Sequence, residues 1–433
     1  MLVTNGKFVW IIASYEPIMR KRVLVLARVS SSQHSHAHRA NDSMRATSNA
    51  LASTRTPVSS LTSVARARRR DAARSRPLHA VSEPSSLETF AGAWYGPDMQ
   101  MRSGEWTIEL SDDHIREIDA ALALAQSRGH EIVELSPENF PLETLGPELE
   151  QMGRELIHGR GFALMRNFPV DRYTRWESCA AFCAMGRYMG YVVPQNKFGH
   201  VVGHVKNLGA DPASPLTRLY TTNAAQPYHT DSADIVGLLC LSQALEGGHS
   251  QVTSSTAIWN ELVKRSPRSA ALLREPFVVS RKGEIPPGKE ATYRIPIFHT
   301  TPDGRLCAIY DRSFIDSAKA LVGATLSDEQ TQALDDLDAL ACSDELRLDM
   351  TLQPGDIQWL HNHTTLHARS AFADRTNGEP RHLVRLWVTP DERVGAMQLP
   401  DIFAERLGTV APGPSRGGIR VDGQVLCCPL DAR

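Results

Sequence analysis

The run Tyr228-His229-Thr230-Asp231-Ser232-Ala233-Asp234, followed at once by Ile235-Val236-Gly237-Leu238-Leu239-Cys240-Leu241, restricts this chain more than any other stretch. Side chains alternate along a β-strand, so a histidine and a carboxylate two positions apart face the same way. The segment behind them is too rich in Leu, Ile and Val for a surface loop, which turns that face inward. An imidazole nitrogen and a carboxylate oxygen aimed inward together offer two ligands to one metal ion. One more histidine would complete the two-histidine, one-carboxylate set that leaves open positions on non-haem Fe(II).

Three later histidines compete for that place: His361, His363 and His367. His367 follows the turn Pro354-Gly355-Asp356 on a short predicted strand, Leu366-His367-Ala368-Arg369, where a ligand facing into a barrel belongs. The same three also spell a His-x-His-x-x-x-His pattern suited to zinc, but that cluster gives the His229–Asp231 pair no role. Downstream, Arg381-His382-Leu383-Val384-Arg385 reads as strand, so its two arginines share a face. An unpaired buried charge is very costly, and Arg is the side chain best shaped to grip a carboxylate through parallel hydrogen bonds. Ion pairs within an acidic body would satisfy the same need. Beside an open metal face, a dicarboxylate cosubstrate is the stronger reading.

The rest of the chain has the composition of an ordinary globular protein, with 433 residues, 42% hydrophobic and 22% charged. A formal net charge of −2 makes no case for nucleic acid, but it hides an asymmetry: residues 1–86 hold 14 Lys+Arg against 4 Asp+Glu. The apolar residues 9–15 are broken by Glu16 and Arg20, well short of the roughly 20 residues that a membrane span needs. Between Arg20 and Arg76 lie twelve arginines and two acids among many Ser, Thr and Ala, a composition typical of organellar transit peptides. A disordered basic tail, or a misassigned start with Met44 opening the chain, fits equally well. Residues 1–86 are therefore set apart from the fold, and the location expected is intracellular, cytoplasmic or mitochondrial. Seven cysteines without a C-x-x-C pair favour free thiols in a reducing compartment. A homo-oligomer is left open.

Residues 87–433 read as one domain. Helical spacing marks residues 111–128, with Ser111 as N-cap and Gly129 as stop, then 148–157 and 172–189. Strands are predicted at 162–165, 218–222, 228–231, 235–241 and 250–254, with a helix over 255–264. Residues 265–345 mix short strands with a helix around 328–340 and read as an insertion. The β-scaffold resumes at 357–360, 365–369 and 382–388.

Taken together, His229-Thr230-Asp231, the Gly-Gly-x-Ser step from Gly247 to Ser250, His367 and Arg381-x-x-x-Arg385 resemble the taurine/2,4-dichlorophenoxyacetate dioxygenase family. These are Fe(II)- and 2-oxoglutarate-dependent oxygenases related to clavaminate synthase, and the similarity runs from about Gly159 to Arg393. The resemblance implies a mixed β fold with flanking helices around a double-stranded β-helix, or jelly roll. It makes His229, Asp231 and His367 the iron ligands. It gives the distal carboxylate of 2-oxoglutarate to Arg381, helped by Ser250 where relatives often carry Thr, and places Arg385 where the taurine enzyme holds its substrate's anionic group. Asn196 and Tyr228 are further candidates for substrate contact, with Gln195, Tyr220, Asn223 and Asp234 nearby. The implied reaction consumes dioxygen, releases succinate and carbon dioxide, and oxidises a C–H bond of a small carboxylate- or amino-acid-like substrate. Hydroxylation is the default, with desaturation or cyclisation as variants; retention of Asp231 argues against halogenation. Two other classes compete: a zinc hydrolase, which gives no reason for the paired arginines, and a catalytically silent metal-binding jelly roll.

Overall fold

The computed structural model describes residues 84 and 86–432, together with two short antiparallel strands, Leu2–Thr4 and Lys7–Val9. The basic segment expected over residues 1–86 otherwise lies outside the described residues. In the larger unit, helix α1 (Asp112–Arg128) begins where expected because Ser111 Oγ accepts the His114 backbone N–H at 3.2 Å. It ends on Gly129, at φ 69°. Helix α2 spans Leu145–His158. Helix α3, Arg175–Arg187, is shorter than the predicted 172–189 because Thr174 and Glu177 form a reciprocal capping box, with Glu177 accepting the Thr174 N–H at 2.7 Å.

The β-strands that build the core are β1 (Thr107–Glu109), β2 (Phe162–Arg166), β3 (Gly190–Val192), β4 (Val202–Lys206), β5 (Gln226–His229), β6 (Ile235–Ser242), β7 (Ser250–Ser254), β8 (Leu348–Met350), β9 (Ile357–His361), β10 (Thr365–Arg369) and β11 (His382–Pro390). One sheet runs β1-β2-β9-β6-β11, with β3 and β4 both paired to β11. The other runs β8-β7-β10-β5. Apart from the parallel β1–β2 pair, these ladders are antiparallel. The sheets pack face to face as a jelly roll, with Leu238, Cys240, Val252, Met350 and Leu360 filling the space between them. Helices α1–α3 cover the outer face of the larger sheet, where Ile357, Trp359, Val384 and Leu386 meet Phe182 and its neighbours. All seven cysteines are free thiols.

Helix α4 (Ser255–Arg265) follows β7. Residues 265–345, expected as an insertion, contain α5 (Pro267–Leu272), the hairpins Phe277–Ser280/Thr292–Ile295 and Phe298–Thr300/Leu306–Ala308, α6 (Arg312–Val322) and α7 (Asp328–Cys342). Two strand expectations need correction. Residues 218–222 form a 3-10 turn, Leu219–Thr221, instead of a strand, and β5 stops at His229, so Asp231 lies just beyond it. Among the described residues no helix is long and apolar enough to cross a membrane.

The larger sheet depends on a close approach between neighbours. Gly237 pairs with Trp359, and a Cβ at Gly237 would lie 2.5 Å from the indole ring. The ring also packs on Phe182, with centroids 5.4 Å apart. Trp359→Ala is expected to reduce unfolding stability by about 3–5 kcal/mol, read from the urea midpoint. A loss below about 1 kcal/mol would mean the core closes around the vacancy.

Candidate active site

The site grows from one cross-strand pair. His229 on β5 stands directly opposite His367 on β10, with ring centroids 4.1 Å apart. Arg369 stands opposite Gln226, so Pro227 and Tyr228 together oppose Ala368 in a bulge. Proline suits this position because it has no N–H to contribute to the ladder. Its carbonyl lies 2.9 Å from His229 Nδ1. A carbonyl can only accept, so Nδ1 carries the proton and Nε2 keeps the lone pair, which here meets the Gln226 side-chain amide at 2.8 Å and which a metal would take in its place.

Asp231 arrives by a different route from the one strand parity suggested. Beyond β5, the Thr230 N–H donates to the Tyr310 carbonyl at 2.7 Å and the Asp231 N–H to Asn362 Oδ1 at 3.0 Å. The carboxylate comes to rest 4.0 Å from His229 Nε2 and 3.9 Å from His367 Nε2. The three potential ligand atoms all lie within 4.8 Å of one another. Burial would raise the Asp231 carboxyl, but Arg385 and the two imidazoles outweigh it and hold the group well below the usual carboxylate range. Burial, assisted by His229, pushes His367 down to about 3, which keeps its imidazole neutral. An ionised carboxylate and a neutral imidazole are the protonation states that divalent iron requires of Asp231 and His367.

Behind Asp231 lies a supporting layer. Trp387 Nε1–H donates to Oδ2 at 2.9 Å, and Arg385 Nη1 donates to both oxygens at 3.1 Å. Arg385 Nε donates in turn to Gln195 Oε1 at 2.8 Å, and the Gln195 amide donates to the carbonyls of Arg385 and Val201. The alternation of β11 explains the grouping, since Arg381, Leu383, Arg385 and Trp387 occupy one face.

A cavity beside the triad is lined by His229, His367, Ser250, Arg369, Arg381 and others. Arg381 Nη1 and Arg369 Nε and Nη1 are buried without a hydrogen-bond partner. Neither guanidinium forms an ion pair among the described residues, and burial pulls both down to about 10, with Arg381 adding to the effect on Arg369. Buried N–H donors of two cations form a cradle for an anion, and the Ser250 hydroxyl beside them donates to Gln358 Oε1 at 2.9 Å. Arg369 was missed in the sequence, although the signal was there: it stands two residues from His367 on the same strand.

Other candidates fall elsewhere. Tyr228 points away from His229 into the main core, so the structure does not bring it to the site. Asn196 is engaged in its own turn, accepting the Phe198 N–H at 3.0 Å and meeting His200 Nδ1 at 3.1 Å. Arg385 reaches the site, but its direct partners are Asp231 and Gln195. His361 bonds Thr364 Oγ1 at 3.0 Å, and His363 faces Asp234 at 3.4 Å, so they do not form a cluster with His367. Asp234 itself is fully buried against Arg416. Among the described residues the other donor group is His204, His382 and Asp431. There both nitrogens of His204 are already engaged, by His382 Nε2 and the Pro429 carbonyl, each at 2.8 Å.

A jelly roll with two histidines and one carboxylate at its mouth defines a mononuclear non-haem iron oxygenase. Residues 124–387 match the model of the taurine catabolism dioxygenase TauD, TfdA family, and the chain belongs to it. It is 33% identical to FR-33289 synthase of Streptomyces rubellomurinus, over 66% of this chain and 86% of that protein. It is 31% identical to the Taurine hydroxylase-like protein SAT17 of Stachybotrys chartarum, over 69% and 79%. In fold it resembles asparagine oxygenase solved with Fe(II), 3-hydroxyasparagine and succinate, at a TM-score of 0.50 and 17% identity, covering 65% of this chain and 93% of that one. The protein is thus an Fe(II)- and 2-oxoglutarate-dependent oxygenase.

Outer partners of metal ligands commonly contribute 10–100-fold to metal affinity. Trp387→Phe, which removes one neutral donor from Asp231, is expected to weaken Fe(II) binding about tenfold in chelator competition. Unchanged affinity would show that Arg385 alone holds the carboxylate.

Proposed function

We propose that His229, Asp231 and His367 hold Fe(II), that Arg381 and Ser250 receive the distal carboxylate of 2-oxoglutarate with Arg369 as a second cation, and that the protein hydroxylates a C–H bond of a small anionic, carboxylate- or amino-acid-like substrate. The observation that carries this is the convergence of the three donors at the edge of a cavity whose buried guanidinium N–H groups lack partners. Bound there, iron and cosubstrate supply the oxidant: dioxygen and 2-oxoglutarate give succinate and carbon dioxide, and one oxygen atom passes to the substrate. The chain's own contribution is positional. Pro227 fixes the His229 tautomer, Trp387 and Arg385 orient Asp231, and Arg381 aligns the cosubstrate from the far end of the cavity. A zinc hydrolase would have no use for the unpartnered Arg369 and Arg381. The basic N-terminal segment fits a targeting segment outside the catalytic domain, and the free thiols support an intracellular location, cytoplasmic or mitochondrial.

Anaerobic addition of Fe(II) and 2-oxoglutarate should give the weak visible charge-transfer band of the chelate. His367→Ala and Asp231→Ala should lose it, and His363→Ala should keep it. Retention of the band and full turnover in His367→Ala would remove that residue from the ligand set. Arg381→Ala should raise the 2-oxoglutarate requirement about 10- to 100-fold, as expected for loss of a buried charge-assisted contact. An unchanged requirement would move the role to Arg369.

A further inference from the structure

A second cavity meets His229 and Asp231 from the other side of Arg385, and residues 218–231 share its wall with Lys282, Asp311, Ser313 and Phe314 of the insertion and Arg406 of the C-terminal segment. Three cations of that wall surround one ring. Lys282 Nζ lies 4.7 Å from the Phe314 centroid, Arg406 Cζ 5.6 Å and Arg218 Cζ 5.7 Å. Only one of them is neutralised directly, since Arg218 pairs with Glu284. Lys282 Nζ donates to the Thr217 carbonyl at 3.1 Å and to Ser313 Oγ at 3.2 Å. Arg406 donates to Ser232 Oγ at 3.0 Å and to the Thr230 carbonyl at 2.8 Å. Neither Lys282 nor Arg406 forms an ion pair among the described residues. Neutral oxygens orient these cations, Asp311 acts on Lys282 only at a distance, and neither cation meets a carboxylate in a direct ion pair. The carboxylates lining the cavity are Asp231, already held by Arg385, and Asp311, whose Oδ1 accepts from Ser313 N and Oγ at 2.9 and 2.6 Å.

The backbone imposes this arrangement. Lys282 is buried and sits at φ 48°, a conformation that a side-chain-bearing residue holds only where its surroundings enforce it. Its neighbour Arg281 pairs with Glu405 at 3.0 Å, and Glu405 precedes Arg406. A single clamp therefore brings both unneutralised cations to the same wall. A planar carboxylate is matched by one guanidinium fork. Two separate cations on one wall are better matched by a group whose oxygens point in several directions.

We propose that Lys282 and Arg406 anchor a phosphate or phosphonate group of the substrate, and that this anchorage directs the C–H bond toward His229, Asp231 and His367. The proposal rests on the oxygenase reading of that site, and it narrows the substrate to small molecules bearing a phosphorus oxyanion. Arg218, already paired with Glu284, sets the edge of the wall.

The test uses the full chain with methylphosphonate, inorganic phosphate and acetate as probes. Under anaerobic conditions with Fe(II) and 2-oxoglutarate, methylphosphonate and phosphate are expected to bind calorimetrically and to perturb the chelate band, with acetate at least about tenfold weaker. Lys282→Met and Arg406→Gln should each weaken methylphosphonate binding at least about tenfold while still forming the band, which also shows that the variants are folded. Acetate binding as tightly as methylphosphonate would overturn the proposal, as would folded variants that bind methylphosphonate like the unaltered protein. Calorimetry without iron separates the two readings. A missing chelate band with phosphonate binding that still depends on Lys282 would sink the iron assignment alone. A normal band without phosphonate binding would sink the anion wall alone.

Discussion

Asp231 is a carboxylate buried between two sheets, and much of the surrounding architecture serves to keep it ionised and fixed. Burial by itself drives such a group toward its neutral form, which could not serve as a metal ligand. Four neighbours reverse that tendency: Arg385, His367, His229 and the indole N–H of Trp387. Two of them lie on β11 and one on each of the facing strands β5 and β10, so the charge is stable only when both sheets are in place. Gln195 extends the dependence further, because it holds Arg385 by side chain and backbone and takes a second bond to Val201. Folding of the jelly roll and assembly of the donor set are therefore one event.

Arg385 also partitions the interior. On one side lie Arg369, Arg381 and Ser250; on the other lie Lys282, Arg406 and Arg218. The triad borders both. In the proposed reading the Arg381 side receives the cosubstrate and the Lys282 side the substrate. Arg385, with its charge directed at Asp231, sits between the two as a fixed post and leaves the selective contacts to the outer residues.

Much of the chemistry was legible in the sequence because it is local or periodic. His229-Thr230-Asp231 announces itself by spacing, and Arg381 and Arg385 by parity on one strand. Their order along the chain supplied the family resemblance, and with it the jelly roll. The Ser111 cap and Gly129 stop fixed α1 because capping is a short-range interaction. What was not legible depends on long-range partners. Strand parity put Asp231 on β5, whereas it is placed by Tyr310 and Asn362, both far along the chain. Tyr228 was expected at the substrate because of its neighbour, but the bulge at Pro227 leaves it facing the core. Asn196 was offered as a contact, but its own turn consumes its side chain. Arg369 could have been found by the parity argument already used for Arg381. Lys282 and Arg406 could not, since nothing in their local sequence shows that Glu405 and Arg281 join their two segments.

The late segments of the chain show how specificity can be varied without disturbing the chemistry. Asp234, the last residue of the run that carries the triad, is fully buried against Arg416 of the C-terminal segment. Removing either partner would strand a charge in the core, a loss of several kcal/mol, so the C-terminal segment is bound to the metal-site loop as firmly as a core element. Arg416 fixes that segment, Arg281–Glu405 fixes the insertion hairpin to it, and only then do Lys282 and Arg406 share a wall. Neither hairpin of the insertion joins the two principal sheets. Changing the residues they present would alter the charge and shape of the outer cavity and leave the β5–β10 pair and the Asp231 support intact. In this fold the sheets carry the reaction, and the layers clamped onto them choose the molecule.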